Sequence, residues 1–271
     1  MSKKQNILNT IKPHYLSLCT LKLLLNFNET ELAIGTGFIY SHKEKLYLIT
    51  NWHNVTGRNP STHKRLTEKH GGFPNKILFK LRSRKNGADF YSSEMDLYVD
   101  EEHTIPNWLI HPIHKEKADV VAIEISFEEA DDVLIQSLNQ FVDFQYNLKA
   151  NIADDVFVIG YPRGLDSEFI LPIWKRGSIA SEPDVNIDEL PKILIDTITR
   201  EGMSGSPVIF RQHSPIKTVG VLGSIYGFQG IYSGRIGDID SIQLGYVWKK
   251  EVIEEIIDGA TKASNEFQRW S

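Results

Sequence analysis

With a single cysteine, Cys19, among 271 residues, the chain can form no intramolecular disulfide and must be held by its core alone, the usual situation where thiols stay reduced. A cytoplasmic protein is therefore expected. Cys19 itself, set in an apolar, β-like context, reads as a small buried side chain rather than a catalytic thiol. Positive charge is also lacking: 30 Lys and Arg face 35 Asp and Glu, for a formal net charge of −5, which argues against general affinity for nucleic acid. The apolar run from Leu16 to Leu25 is broken by Ser17, Cys19, Thr20 and Lys22, and the opening Met-Ser-Lys-Lys-Gln-Asn is polar, so neither a signal peptide nor a membrane span is expected. Internal repeats, low-complexity tracts and long linkers are missing too. One folded unit spanning 1–271 follows.

What is present is ordinary for a globular protein, 41% apolar and 24% charged, and it is distributed as short β-like runs. These are Tyr15 to Leu25, Leu32 to Tyr40, Lys45 to Thr50, Lys76 to Leu81, Val120 to Ile125, Asp155 to Ile159, Ile193 to Ile198, Pro207 to Phe210 and Thr218 to Leu222. Turn clusters such as Asn26-Phe27-Asn28 and Ser41-His42-Lys43 separate them, and the spacing predicts an all-β barrel or sandwich. Near the end Trp248, Val252, Ile256 and Ile257 fall at helical spacing, predicting a helix that packs across a barrel, with Phe267 and Trp270 extending the contact.

Three strings carry chemistry. Gly202-Met203-Ser204-Gly205-Ser206-Pro207 places a serine in a glycine-flanked turn between apolar runs, where backbone N–H groups can converge on a developing oxyanion. Leu48-Ile49-Thr50-Asn51-Trp52-His53 runs an apolar strand into a histidine at its end. Asp119 opens the run Asp-Val-Val-Ala-Ile-Glu-Ile, where an acid at the mouth of a buried strand can accept the Nδ1–H of an imidazole and leave Nε2 free. Asp96 is the other acid in the interval, without a comparable apolar strand behind it. Ser206 is a rival hydroxyl, but its place before Pro207 suits a structural role.

Together these strings, in the order His, Asp, Ser, resemble the trypsin-like, chymotrypsin-fold serine peptidases, closest to the disulfide-free bacterial branch that includes the Deg-type proteases. Gly35-Thr36-Gly37-Phe38-Ile39 is similar to that family's strand ahead of the histidine, and Val158-Ile159-Gly160-Tyr161-Pro162 and Val219-Gly220-Val221-Leu222-Gly223 to strands of its second barrel. The order also excludes rivals. A subtilisin-type arrangement needs an aspartate before the histidine, whereas the first aspartate here is Asp89. An α/β-hydrolase needs Gly-x-Ser-x-Gly with its acid and histidine after the serine.

The resemblance implies two six-stranded antiparallel β-barrels and a C-terminal helix: a first lobe over 15–130 with His53 and Asp119, a second over 150–247 with Ser204, and a helix and tail over 248–271. It implies a serine endopeptidase acting on protein or peptide substrates, with Ser204 as nucleophile, His53 as general base, Asp119 orienting the histidine, and the N–H groups of Gly202 and Ser204 as oxyanion donors. It puts Ile198 at the base of the pocket for the substrate's P1 side chain, which favours apolar or small P1 residues, with Asp196, Glu201 and the glycine-rich Gly227 to Gly237 able to reshape that pocket. Gly223, Ser224 and Ile225 become the edge that pairs with the substrate main chain. Met203 stands where the family's zymogens carry an aspartate for a new N-terminus, so gating by a bound partner, an activating protein for example, is expected instead. No cofactor is expected, and His53, His63 and His70 show no metal-ligand spacing.

Between Arg58 and Lys85 nine Lys or Arg face one acid, Glu68. A solvated loop and strand face is the plain reading and an acidic partner the sharper one, and no aromatic interleaving supports nucleic acid. Two other functions fit the same residues: a protease-like binding module without turnover, and a single-target effector protease of a bacterial defence or signalling system.

Overall fold

The computed structural model describes residues 13–66, 73–85, 87, 89–127, 132–167, 169–216, 221–235 and 243–264. Phe267, Trp270, Val219 and Gly220 lie outside them. Among the described residues, fifteen strands and three short α-helices make two β lobes. The first lobe holds β1 (Thr20–Phe27), β2 (Thr30–His42), β3 (Lys45–Thr50), β4 (Lys76–Ser83), β5 (Phe90–Asp96), β6 (Leu109–Ile110), β7 (Val121–Ile125) and β8 (Val133–Leu134). The second holds β9 (Asp155–Gly160), β10 (Ile173–Ile179), β11 (Lys192–Asp196), β12 (Pro207–Ile216), β13 (Val221–Arg235) and β14 (Leu244–Lys249).

The second lobe is a closed antiparallel barrel in the order β10-β11-β14-β13-β12-β9. The first is a nine-stranded sheet, β15-β6-β7-β3-β2-β1-β4-β5 with β8 on β4, where β15 is Thr261–Lys262. Its ladder does not close as the second barrel's does. An isolated bridge between Tyr98 and Pro106 and a bond from Asn107 N–H to Leu97 O at 2.9 Å bring its ends together. All-β architecture with a terminal helix is thus as expected, and among the described residues the closed ladder is that of the second lobe.

Side chains alternate across a strand, and here both faces of the central strands are covered. Phe38, Tyr40, Ile49 and Ala122 point into a core shared between the lobes, while Ile39, Leu48, Val121 and Ile123 fill the first lobe. In the second lobe Ile159 and Ile209 join the shared core, and Val156, Val158, Val208 and Phe210 fill the barrel. This explains why these strands read as continuous apolar runs.

Three sequence expectations are corrected. Tyr15–Cys19 is a helical turn, α1, rather than the start of a strand; extended His14 caps it, its side chain accepting from Leu16 N–H. Cys19 ends that turn fully buried, and burial pushes its thiol pKa up to about 12, so the thiolate that reactivity requires is suppressed. Trp248 belongs to β14, and the terminal helix, α3, begins only at Glu251 and ends at Gly259. Phe90–Asp96, Ile173–Ile179 and Leu244–Lys249 are strands that the pattern of apolar runs had not marked.

Helix α3 leaves the second lobe and packs on the first. Val252, Ile253, Ile256 and Ile257 enter the shared core. Outside it, Tyr40 Oη donates to Glu254 at 2.8 Å, His111 Nε2 meets Glu255 at 2.8 Å, and His42 and Lys43 meet Asp258, each at 2.7 Å. The chain then adds β15 to β6. A clamp of this kind is expected to carry real stability: Ile256→Ala should cost about 2–5 kcal/mol by cavity formation, whereas Glu251→Ala on the wet face should change stability by less than about 0.5 kcal/mol. Urea unfolding of the two variants checks this, and equal midpoints would show that the helix is dispensable.

Several described basic residues of the segment are taken up by partners within the fold. Lys76 pairs with Glu94 at 2.6 Å, Lys85 with Asp132 at 4.0 Å, and buried Arg82 bonds the Phe169 and Gly87 carbonyls. Among the described residues no helix is long and apolar enough to cross a membrane.

Candidate active site

The cleft between the lobes receives one contribution from each. On the first lobe β3 ends at Thr50, extended Asn51 follows, and a single helical turn, α2 (Trp52–Thr56), lifts His53 off the strand. Gly57, in the left-handed region, closes the turn by donating its N–H to His53 O. Asp119 lies two residues before the start of β7, between fully buried Ala118 and Val120, and is itself 1% exposed.

Its carboxylate is saturated with donors. Oδ1 accepts the His53 backbone N–H at 2.9 Å, and Oδ2 meets His53 Nδ1 at 2.7 Å and the Ser233 hydroxyl at 2.5 Å. Asn51 Nδ2 bonds the Asp119 carbonyl at 2.6 Å, fixing the backbone as well. A buried carboxylate is tolerated only when so paired, and the pairing holds the imidazole with Nδ1 toward the acid and Nε2 away from it. Asp96, by contrast, is exposed at the end of β5 opposite Lys76.

On the second lobe the turn Gly202 to Ser206 is built by close approach. Gly202 and Gly205 have φ of +89° and +86°, and a Cβ on either would collide with the carbonyl oxygen of Tyr161 or of Thr36; only glycine fits both demands. Met203 is wholly buried in the barrel core. Ser206 is also fully buried, its hydroxyl without a partner and pressed against Gly160, which removes it as a rival nucleophile. Ser204 is half-buried at the lobe boundary.

Thr36 ties this turn to the first lobe. Its N–H donates to Ser204 O at 2.9 Å and its hydroxyl to Gly202 O at 2.7 Å. Asn54, next to His53, donates from Nδ2 to Ser204 O at 3.1 Å and to Thr50 Oγ1 at 2.9 Å. Gly205 N–H bonds Tyr232 O at 2.9 Å, and the following residue is the Ser233 that reaches Asp119. The His53–Asp119 pair and the Ser204 turn are therefore joined through three short links. The Ser204 hydroxyl makes no hydrogen bond to His53 or to any other described residue; such bonds are commonly long without substrate and tighten when it binds. The N–H groups of Gly202 and Ser204 likewise have no partner among the described residues.

Sequence reading missed Ser233, Thr36, Asn54 and Tyr161. Thr36 had a signal in Gly35-Thr36-Gly37, but Ser233 sits in a glycine-rich stretch that resembles a loop. The structure does not bring Gly223, Ser224 and Ile225 to the site. They pair with Ser214, His213 and Gln212 in the β12–β13 hairpin; eight residues of extended strand, about 25 Å, separate Ile225 from Ser233. Ser233 is the β13 residue that reaches the site, through Asp119. Ile198 lies in the segment leading to the turn, 43% exposed rather than at the bottom of an enclosed pocket. Beside it Thr199 Oγ1 bonds the hydroxyl of Tyr232, whose ring is buried in the barrel core against Gly245.

A two-lobed β fold with a histidine–carboxylate pair on one lobe, and a glycine-flanked serine turn of the other lobe tied to it through Thr36 and Asn54, is the arrangement of the chymotrypsin-like class. The family model for the trypsin-like peptidase domain matches residues 35–216, well over half of the chain, and the chain belongs to that family. No curated protein sequence is significantly similar to it. Among solved structures, the serine endoprotease from Yersinia pestis superposes with a TM-score of 0.51 at 15% identity, covering 92% of this chain and 66% of that one. An inactive form of Rv3671c from M. tuberculosis H37Rv, a serine-to-alanine mutant, gives a TM-score of 0.45 at 18% identity over 91% of this chain and 89% of that one.

Proposed function

We propose that the protein hydrolyses peptide bonds in protein substrates through a His53-Asp119-Ser204 triad and an acyl-enzyme. The observation that carries this reading is the 2.7 Å contact of His53 Nδ1 with buried Asp119, on a lobe hydrogen-bonded through Thr36 and Asn54 to the glycine turn that bears Ser204. Ser204 Oγ attacks the scissile carbonyl while His53 Nε2 takes its proton; the tetrahedral intermediate expels the amine as His53 returns that proton, and water repeats the sequence on the ester. The unpaired N–H groups of Gly202 and Ser204 bind the oxyanion. An active-site-directed fluorophosphonate tests the reading: it should form a covalent adduct that peptide mapping places on Ser204. An unlabelled chain would favour the binding-module alternative. A cytoplasmic setting is proposed on the ground that a single cysteine can form no intramolecular disulfide.

Small or apolar P1 side chains are the proposed preference. Ile198 offers no charge, and the hydroxyl of the adjoining Thr199 is held by buried Tyr232. A peptide library should accordingly show Ala, Val or similar residues at P1 and little cleavage after Arg or Lys. Ile198→Asp should raise kcat/KM for Arg substrates by about tenfold or more, in keeping with the strength of charge-assisted pairing; no change would place the pocket elsewhere.

We also propose gating by a bound partner. Met203, buried in the core, offers no carboxylate to a new N-terminus. Instead the turn depends on neighbours: Thr36, Tyr232 and Arg163, whose N–H bonds Glu201 O at 2.6 Å.

A further inference from the structure

Strands β1 and β4 part company within the first lobe. They pair only at Leu24 with Leu78, Leu25 with Ile77 and Asn26 with Lys76. Toward Thr20 and Ser83 they separate, each keeping its other neighbour, β2 and β5 respectively. The gap opens into a cavity of about 190 Å³ walled by Leu21, Leu24, Ile39, Leu78, Phe79 and Leu81. An engineered cavity of about 150 Å³ with comparable walls stays dry and takes up benzene.

The rim is cationic. Lys22, Lys80 and Arg82 stand there against one acid, Asp166. Lys22 pairs with Asp166 at 3.1 Å and Arg82 is committed to main-chain carbonyls, whereas Lys80 is exposed and has no ion-pair partner among the described residues. Gln136, also lining the cavity, buries its Oε1 without a hydrogen-bond partner, and rotation of that amide presents its NH₂ group as a donor. An apolar interior with excess positive charge and an unsatisfied amide at its margin suits a chain with an anionic head.

We propose that this cavity binds a small aliphatic carboxylate and that its occupancy sets the geometry of the turn carrying Ser204. Tyr161 connects the two places. Its ring lines the cavity and its hydroxyl lies 3.1 Å from the carbonyl oxygens of both Thr20 and Ile170. Its own carbonyl abuts Gly202, and two residues on, Arg163 N–H holds Glu201 O. Packing the cavity restrains Tyr161, and a restrained Tyr161 restrains the peptide groups on either side of Gly202. A ligand that binds one arrangement of this unit better than another shifts the population toward it. The coupling half rests on Ser204 as nucleophile; the binding half does not.

The test uses the full chain and sodium octanoate, with binding followed by calorimetry and coupling by the rate of fluorophosphonate labelling. Saturable binding with one site is expected. Hexanoate should bind about fifteenfold more weakly, from the loss of two buried methylenes, and neutral 1-octanol more weakly than octanoate. Lys80→Glu should weaken octanoate by about threefold or more, and Leu24→Trp, which fills the cavity from a half-buried position, should abolish binding. Saturating octanoate should change the labelling rate at least about threefold in the parent chain and leave it unchanged in Leu24→Trp. Absence of saturable binding, binding indifferent to both substitutions, or equal affinity for octanol would overturn the site. Binding with an unchanged labelling rate would overturn the coupling. Binding by a chain that is never labelled would keep the site and overturn the nucleophile instead.

Discussion

Replacing Ser204 by alanine is expected to lower peptide turnover by about a millionfold, the scale of loss when the nucleophile of a serine protease triad is removed, and to abolish fluorophosphonate labelling. The fold should survive. Ser204 is half-buried and its hydroxyl bonds no described residue, whereas the turn is held by backbone groups that alanine retains: Thr36 N–H on Ser204 O and Tyr232 O on Gly205 N–H. Circular dichroism and thermal unfolding should therefore match the parent chain while hydrolysis is lost. Ser206→Ala is the control. Its hydroxyl is buried and unpartnered, so its removal should leave labelling intact and cost little stability. Turnover that persists in Ser204→Ala would end the assignment, and loss confined to Ser206→Ala would transfer it.

Asp119→Asn is expected to cost about ten-thousandfold in kcat, with Asp96→Asn within about twofold of the parent. In the parent, Asp119 accepts three hydrogen bonds, from His53 N–H, His53 Nδ1–H and the Ser233 hydroxyl. An amide has one acceptor oxygen, so a side-chain N–H must face one of those donors. Turned toward the imidazole, it forces the proton from Nδ1 onto Nε2 and removes the base that Ser204 needs. Geometry is preserved and the tautomer is wrong, so kcat should fall with little change in substrate binding. Asp96 is exposed beside Lys76 and has no such role. Steady-state kinetics on the two variants decide the matter, since the opposite ranking would move the orienting acid to Asp96.

Much of this arrangement is visible in the linear chain because its parts are local. A serine between two glycines, a histidine at the end of an apolar strand and an aspartate at the start of another are each complete within about eight residues. The apolar runs that became β2, β3, β7, β9 and β12 are legible because both faces of these strands are buried. Strands with a wet face were harder to see: β5, exposed at Tyr91, Ser92, Glu94 and Asp96, reads as polar chain. The glycines of β13 interrupt any apolar run, yet Gly227 makes room for the Phe210 ring and Gly230 for the Trp248 carbonyl, neighbours that exist only once the barrel closes.

The sequence by itself determined the family, the all-β class and the three residues of the proposed triad, since glycine placement and apolar runs are properties of neighbouring residues. Tertiary structure alone decided what surrounds them. Ser233 reaches Asp119 across 114 positions and Thr36 reaches Gly202 across 166. The same is true of the exposed setting of Ile198, the bond between Thr199 and buried Tyr232, the first-lobe ladder and the cavity where β1 leaves β4. Each depends on which distant segments pair and where a pairing stops. Hydrophobic alternation specifies that a strand is buried and on which face, but it leaves open which polar side chain from another strand will arrive at that edge.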